Sequence, residues 1–404
     1  MRLREVPRAP SNCTRRPSMR LKGITLAALV GLASSAAACS TATHSVTKVE
    51  RTSALASATR TTLKAEIAKF SGIPKFTAPG PAFNARAAAK GKSLFVIPAS
   101  SSIPFVETIA QYMRAVGSKL GLSVTIWTNQ GQVSQWVQGI QEAIAKHVSS
   151  IDLLAGINPA LLEPQIRSAR AAGISVVVSH FYGVGQRVPR DVYEVAAPYD
   201  TAGRLLADFA ILKEGGRLHV LVTTINEVLS TIPMMQGIRS QVERYCPKTC
   251  TVTTTNTSIA SLVTQLPGQV AGSLERDRSI NNVIALYDSA QVPYTLTGIA
   301  SAGDTGKLPV ETFNGTPSIL SLVASGKVAI DVGEDLKWIA FAILDQHLRL
   351  MAGLAPVSNE HIPVRIWTSS NIAQAGNPPA NSVGYGRSFI AGYAKLWKLP
   401  ASSL

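Results

Sequence analysis

Residues 93–120 read SLFVIPASSSIPFVETIAQYMRAVGSKL, and this stretch decides the fold class. The run SLFVIP predicts a buried strand over Ser93–Pro98. Apolar residues spaced by three or four, from Phe105 to Val116, predict a helix over Pro104–Leu120. A continuous apolar strand followed directly by an amphipathic helix is typical of a parallel sheet with helices on its faces.

The same alternation of strand and helix continues along the chain. In the first set, strands are predicted at Leu122–Trp127, Ile151–Ala155 and Ile174–Ser179, with helices at Val133–Lys146 and Leu161–Ala172. In the second set, strands are predicted at Val192–Ala196, Leu218–Thr223, Thr251–Thr255, Asn282–Leu286, Val310–Phe313, Val328–Val332 and Ile362–Trp367, with helices at Ala202–Leu212, Pro233–Arg244, Ile259–Leu274 and Leu336–Ala352. The sequence therefore predicts an α/β protein with two doubly wound parallel-sheet lobes.

The net charge of +15 is concentrated near the start of the 404-residue chain. Residues 1–38 hold seven Lys/Arg against one Glu, and residues 39–90 hold eight against two, a net of +6 in each segment. The other 314 residues carry +3. A nucleic-acid-binding protein places its positive charge on a folded domain, so nucleic acid is not expected as a partner.

The first segment has the pattern of a secretory signal peptide over residues 1–38. Four cations between Arg15 and Lys22 precede an apolar run, Ile24–Leu32, that is too short to span a membrane. Met19 is an alternative start to Met1. The segment ends in AAAC at Cys39, which resembles a bacterial lipoprotein box, although Ala36 stands where Leu is usual. That resemblance implies lipidation of Cys39 and a membrane anchor on the outer face; plain secretion is the alternative.

Residues 39–90 are rich in Ser, Thr and Ala and are broken by Pro74, Pro79 and Pro81. Apart from a short helix within Thr61–Phe70, this composition predicts a flexible tether between the anchor and the folded part.

Ligands of open α/β sheets bind at the carboxyl ends of the strands. The residues that follow the predicted strands are polar, mostly uncharged and interleaved with aromatics, which suits a small sugar or polyol. The candidate ligand-binding residues are Ser101, Phe105, Asn129, Asn158, His180, Tyr182, Asn226, Asp288, Asn314 and Glu334.

Several of these candidates have a structural alternative. Asn129 and Asn158 also suit turns or helix caps, and Asp288 suits a helix cap. His180 ends a buried strand, so a hydrogen-bonded structural histidine is an equal alternative.

Catalytic, cofactor and metal motifs are not found. The chain has no Gly-x-Ser-x-Gly, no His-Glu-x-x-His and no phosphate loop, and its six histidines are scattered without metal-ligand spacing. We expect no cofactor, no metal and no enzymatic activity. Cys246 and Cys250 fit a small-loop disulfide in an exported protein.

Five stretches together resemble the periplasmic sugar-binding proteins of the ribose-binding type, which are the solute-binding components of ABC transporters. The resemblance covers about residues 91–370. It is carried by VIPASSSIPFVETI (96–109), NQGQVSQWVQGIQEAIAKHVSSIDLLAGINPALLEPQIRSARAAGISVVV (129–178), TAGRLLADF (201–209), FNGTPSILSLVASG (313–326) and IDVGEDLKWIAFAILDQ (330–346).

The resemblance implies two lobes joined by three hinge crossings, near Ala197, Glu334 and His361. The N-terminal lobe would comprise 91–197 and 335–360, and the C-terminal lobe 198–334 and 361–370, followed by a C-terminal extension over 371–404.

The family's site residues can be carried over position by position. Its ring-stacking aromatic falls on Phe105, and its strand-end polar residue falls on Asp288. His180 and Asn314 stand where Asp is usual, and Glu334 stands where the hinge Gln is usual. The family's second-lobe Arg falls near Ile232, which cannot bind a hydroxyl.

The implied function is capture of a small sugar or polyol by a monomer and its delivery to an ABC permease. The alternatives are a ligand-sensing protein that feeds a membrane receptor and an exported α/β enzyme. A sugar-responsive repressor shares the core fold, but the export signal stands where its DNA-binding helices would be.

Overall fold

The computed structural model describes residues 55–404, in which eleven strands and twelve helices are found. The strands are β1 (Ser93–Pro98), β2 (Ser123–Ile126), β3 (Ser150–Leu154), β4 (Ser175–Gly183), β5 (Tyr193–Ala197), β6 (His219–Thr224), β7 (Thr251–Asn256), β8 (Asn282–Ala285), β9 (Val310–Asn314), β10 (Ile330–Gly333) and β11 (Arg365–Trp367). The helices are α1 (Ser57–Lys69), α2 (Ala85–Ala89), α3 (Pro104–Leu120), α4 (Val133–Ala145), α5 (Glu163–Ala171), α6 (Tyr199–Lys213), α7 (Thr231–Tyr245), α8 (Leu262–Arg276), α9 (Asp288–Ser301), α10 (Pro317–Ala324), α11 (Leu336–Met351) and α12 (Ser388–Leu396). The predicted signal peptide and Cys39 lie outside the described residues.

The strands form two sheets, one in each lobe. The first sheet has the order β2-β1-β3-β4-β5 and is parallel throughout. The second has the order β11-β10-β9-β8-β6-β7 and is parallel except for β11, which runs antiparallel to β10 at the edge. The predicted α/β architecture with two parallel-sheet lobes is confirmed.

The central strands are buried because helices cover both faces of each sheet. Every residue of β3 is buried, and so is every residue of β8. Since neither face meets water, the polar side chains in these strands, such as Asp152 and Asn282, are hydrogen-bonded to other protein groups. The helix α3 buries the predicted apolar stripe and ends at Gly121, whose φ of +83° gives a left-handed cap.

Between β1 and β11, three chain segments pass from one lobe to the other. The first follows β5 at Ala197 and leads into α6, which packs against β9 and β10. The second follows β10 and leads into α11, which packs against α3 and β5. The third runs from the end of α11 through residues 352–364 to β11.

The helix α11 is fixed to the first sheet by a buried polar network. His347 lies within 2.9 Å of the Asp152 carboxylate through Nε2 and within 2.7 Å of Ser150 Oγ through Nδ1. Ser179 Oγ donates to the other Asp152 oxygen at 2.7 Å. All four side chains are fully buried, so each polar atom in the network depends on another protein group for its hydrogen bond.

Residues 55–90, the described part of the expected tether over 39–90, are folded against the two lobes, so the prediction of a flexible tether is wrong for them. Residues 57–69 form α1, a helix that packs on α6 of the second lobe and buries Leu63 completely. The chain then crosses to the first lobe, where Phe83 and α2 join the core that α3 and α11 form. The composition suggested a linker because α1 exposes most of its side chains, and its stability comes from the surface beneath it.

The C-terminal extension is also part of the core. The helix α12 places Phe389, Tyr393 and Trp397 against α11, where the Phe341 and Trp397 rings stack with centroids 5.3 Å apart. Trp397 Nε1 donates to the Asp345 carboxylate at 2.6 Å. Residues 388–397 therefore complete the first lobe.

Two further features are a disulfide and the apolar character of the helices. Cys246 and Cys250 are joined by a disulfide at the end of α7. Within residues 55–404, no helix combines the length and the apolar character that a membrane crossing requires.

We predict that Leu63→Ala lowers the free energy of unfolding by about 2–3 kcal/mol, because it removes buried methyl groups and leaves a cavity between α1 and α6. Lys64→Ala, at an exposed position of the same helix, is the matched control. Urea unfolding of both variants measures the difference. Equal stability of the two would show that α1 does not pack on the second lobe.

A second prediction concerns Glu311, which is fully buried in β9 and accepts a hydrogen bond from Asn282 Nδ2 at 2.8 Å. Burial raises the pKa of Glu311 from 4.5 to about 8. The folded protein thus retains a proton that the unfolded chain has lost, so stability falls as the pH rises from about 5 to about 8. Glu311→Gln, which is neutral at every pH, flattens this slope in urea unfolding.

Glu243→Gln is the control for this experiment, since Glu243 is exposed on α7. An unchanged slope in Glu311→Gln, or an equal change in both variants, would contradict the assignment.

Candidate functional site

A cleft with an internal cavity of about 50 Å³ lies where the carboxyl ends of the two sheets face each other. Strand ends of both lobes contribute to it, as expected for open α/β sheets. Its lining consists of Ile103, Phe105, Val106, Ala155, His180, Ile225, Val228, Ser230, Ile259, Tyr287, Ser289, Ala290 and Asn314.

Three of the ten candidate ligand-binding residues line this cleft, namely Phe105, His180 and Asn314. Phe105 is the second residue of α3, and its ring packs against His180 at the wall of the cleft. Its backbone N–H donates to Ser289 Oγ in the second lobe at 3.2 Å. The two lobes therefore touch at the cleft.

His180 is held on both ring nitrogens. It has a φ of +50° and lies where the pairing of β4 with β5 is irregular, between Ser179 and Gly183, a feature that redirects a side chain. Nε2 lies 2.6 Å from Glu334 Oε2, and Nδ1 lies 2.8 Å from the Tyr199 hydroxyl. Since an ionised carboxylate only accepts, His180 donates to Glu334 through Nε2, and its Nδ1 is hydrogen-bonded to the Tyr199 hydroxyl.

Aromatic rings surround this histidine. The Phe105 and Tyr199 centroids lie 5.0 and 5.3 Å from the His180 centroid, and the Phe313 ring is nearly parallel to it at 6.3 Å. Packing and hydrogen bonds together fix the imidazole, so it presents carbon atoms to the cleft.

Asp288 has a structural role, because its carboxylate hydrogen-bonds to other protein groups. Its carboxylate accepts from the Thr316 backbone N–H at 2.6 Å, from Thr316 Oγ1 at 2.8 Å and from the Ser289 backbone N–H. Burial raises the pKa of Asp288 to about 6, while these hydrogen bonds lower it. Asp288 therefore joins the start of α9 to the loop before α10.

Asn314 ends β9 with a φ of +133°, in the region that favours glycine. The residue is 3% exposed, and its Nδ2 has no hydrogen-bond partner among residues 55–404. A buried amide nitrogen without a partner lowers stability, so a polar ligand atom beside it would be bound favourably.

The remaining candidates lie elsewhere. Asn129 uses its side chain within its own loop, donating to Pro98 O at 2.7 Å and accepting from Gly131 N at 2.8 Å. Ser101 Oγ accepts from the Asn129 backbone, and Asn158 caps a 3-10 turn by accepting from Ala160 N at 3.0 Å. The structure thus gives both asparagines the turn and cap roles.

Tyr182, Asn226 and Glu334 do not line the cleft either. Tyr182 is buried in the core against Phe181, and Asn226 is exposed. Glu334 is fully buried behind His180 and reaches the cleft only through that ring.

Most of the cleft lining is aliphatic, whereas the residues predicted from the sequence are polar or aromatic side chains at strand ends. Ile225, Val228 and Ile259 follow β6 and β7 within five residues, which is the signal that could have found them. Ser289 is the second residue of α9, a helix that the sequence analysis did not predict.

We predict that Tyr199→Phe lowers the unfolding free energy by about 1–3 kcal/mol, because it leaves His180 Nδ1 buried without a partner. Tyr245→Phe is the matched control, since its ring is partly exposed and faces Arg244. Thermal unfolding compares the two variants. Equal melting temperatures would mean that the Tyr199 hydroxyl does not support His180.

Solved structures with the same fold include three sugar- or polyol-related binding proteins. An ABC transporter solute binding protein from Agrobacterium vitis with bound allitol is 20% identical, with 72% of this chain and 99% of that chain covered and a TM-score of 0.62. A 5-methylthioribose transporter solute binding protein from Thermotoga lettingae, in complex with 5-methylthioribose, is 16% identical, with coverages of 76% and 98% and a TM-score of 0.62. A glucose-galactose binding protein from Geobacillus stearothermophilus is 14% identical, with coverages of 70% and 99% and a TM-score of 0.61.

At these identities the likeness shows a shared fold. No curated protein matches the chain in sequence. The family model described as "Periplasmic binding protein domain" matches residues 94–355, which is more than half of the chain. With two parallel-sheet lobes, three crossings and a cleft between the sheet edges, the chain belongs to the periplasmic binding protein family.

Proposed function

We propose that this chain is the solute-binding component of a bacterial ABC import system, which captures a small sugar or polyol and delivers it to a membrane permease. The observation that carries the proposal is the cleft, to which both lobes contribute and across which Phe105 N donates to Ser289 Oγ. The bound allitol and 5-methylthioribose of the similar proteins support the ligand class.

Capture requires that the lobes open and close around the solute. The three connections between β1 and β11 act as a hinge, and closure removes water from the bound molecule. The permease distinguishes the closed, loaded form from the open one by the relative position of the two lobe surfaces.

The start of the chain supports delivery to the outer face of the membrane. A signal peptide over residues 1–38 and lipidation at Cys39 would hold the protein there without a spanning helix. The protein acts as a monomer with a small-molecule solute, the permease and the lipid anchor as its partners. Export also fits the Cys246–Cys250 disulfide, because such bonds persist outside the cytosol.

We predict that at least one sugar or polyol in a panel of pentoses, hexoses and alditols raises the melting temperature by several degrees. A ligand that binds only the folded state stabilises it by RT ln(1 + [L]/Kd), about 2.7 kcal/mol at a hundred times Kd. Thermal unfolding of the purified full chain, with each compound in excess, measures the shift.

Phe105→Ala is the variant that tests the site, since it removes a ring from the cleft wall. It should abolish the ligand-induced shift while the variant still unfolds cooperatively. A panel without any shift would contradict capture of an unmodified sugar or polyol, and chemical conversion of a bound compound would favour the enzyme alternative.

A further inference from the structure

The walls of the cleft are apolar on both sides. Ile103, Phe105 and Val106 line it from the first lobe, and Ile225, Val228 and Ile259 line it from the second. Aliphatic and aromatic side chains of this kind offer no hydrogen bonds to a ligand. They favour contact with carbon or sulfur atoms, whose removal from water is favourable.

Most polar side chains in the cleft lining already form hydrogen bonds with other protein groups. Both ring nitrogens of His180 have partners, and the Tyr287 hydroxyl lies 2.7 Å from Ser230 Oγ and 2.9 Å from Thr231 Oγ1. Ser289 Oγ accepts from Phe105 N. The groups left for a ligand are the Asn314 amide and the hydroxyl protons of a few side chains.

None of the residues that line the cleft is a lysine, arginine, aspartate or glutamate. The buried carboxylates of Asp288 and Glu334 are not in the lining and are bound to Thr316 and His180. A charged ligand would lose its hydration without gaining an opposite charge, so the solute is uncharged.

A fully hydroxylated sugar fits this lining poorly. Each hydroxyl against the aliphatic wall would lose its bonds to water and find no partner, which lowers affinity. A solute with one polar end and one apolar portion matches the cleft, with its polar end at Asn314 and Ser289 and its apolar portion between Val228, Ile259 and Phe105.

We propose that the solute is an uncharged sugar or polyol derivative in which deoxy, alkyl or thioether groups replace hydroxyls over a large part of its surface. This inference rests on the proposed function and narrows its ligand class. Asn314, which lines the cleft and whose Nδ2 has no hydrogen-bond partner among residues 55–404, marks the polar end of the site.

Matched pairs of ligands test the inference directly. Isothermal titration calorimetry of the full chain compares D-ribose with 5-methylthioribose and D-galactose with 6-deoxy-D-galactose. We expect the less hydroxylated member of at least one pair to bind about tenfold or more tightly than its partner, which corresponds to about 1.4 kcal/mol.

The possible outcomes separate the two proposals. Equal or tighter binding of the hydroxylated member in every pair that binds would overturn this inference and leave solute capture intact. Absence of binding by every compound in both this set and the sugar and polyol panel would overturn both.

A variant of the wall provides an independent test. Val228→Thr keeps the shape of the side chain and adds a hydroxyl to the apolar wall, so it should reduce the preference for the less hydroxylated ligand about threefold or more. Val263→Thr, at a 65% exposed position of α8, is the matched control and should leave the preference unchanged.

Melting temperatures measured without ligand confirm that both variants are folded. An unchanged preference in a folded Val228→Thr protein, or the same change in Val263→Thr, would overturn the assignment of this wall to the apolar part of the ligand.

Discussion

The contact of His180 with Glu334 and Tyr199 is the constraint on which the geometry of the cleft depends. His180 belongs to the first lobe, Tyr199 begins the helix that follows the first crossing, and Glu334 lies in the second crossing. The imidazole therefore links a strand of one lobe to two of the three hinge segments. Because all three side chains are buried, water cannot replace a lost partner, and the positions of β4 and of both crossings are set relative to one another.

This arrangement also explains why a site with so many polar residues near it has an apolar interior. The carboxylates of Asp288 and Glu334 hydrogen-bond to a loop residue and to His180 at the hinge. The side chains of Asn129 and Asn158 hydrogen-bond within their own turns. The groups that face the ligand are therefore mostly aliphatic and aromatic carbon atoms. Selectivity then comes from rejecting solutes that bring more hydroxyls than the lining can satisfy, a form of discrimination in which unpaired polar groups are penalised.

The fold was largely predictable because its signals are local. The strand Ser93–Pro98 and the helix Pro104–Leu120 were predicted with their observed bounds, since each shows the period of its own element. The helix α12 was missed, and α1 was predicted only as a short helix within Thr61–Phe70, because their burial depends on α11 and α6, which are distant in the sequence. The ligand-binding site was harder to predict from the sequence, because its contacts also join residues that are distant along the chain. The partner of Asp288 is Thr316, 28 residues later, and no local pattern reveals that this carboxylate is already bound.

The docking of α1 on the second lobe fixes how far the protein can stand from a lipid at Cys39. The chain between that cysteine and the first packed residue, Leu55, contains 15 residues, and the 16 steps from Cys39 to Leu55 can span no more than about 55 Å. A tether over all of 39–90 would have allowed roughly three times that distance. With Cys39 lipidated as proposed, the binding protein is confined to a thin layer above the bilayer, and its local concentration around a permease in the same membrane is high.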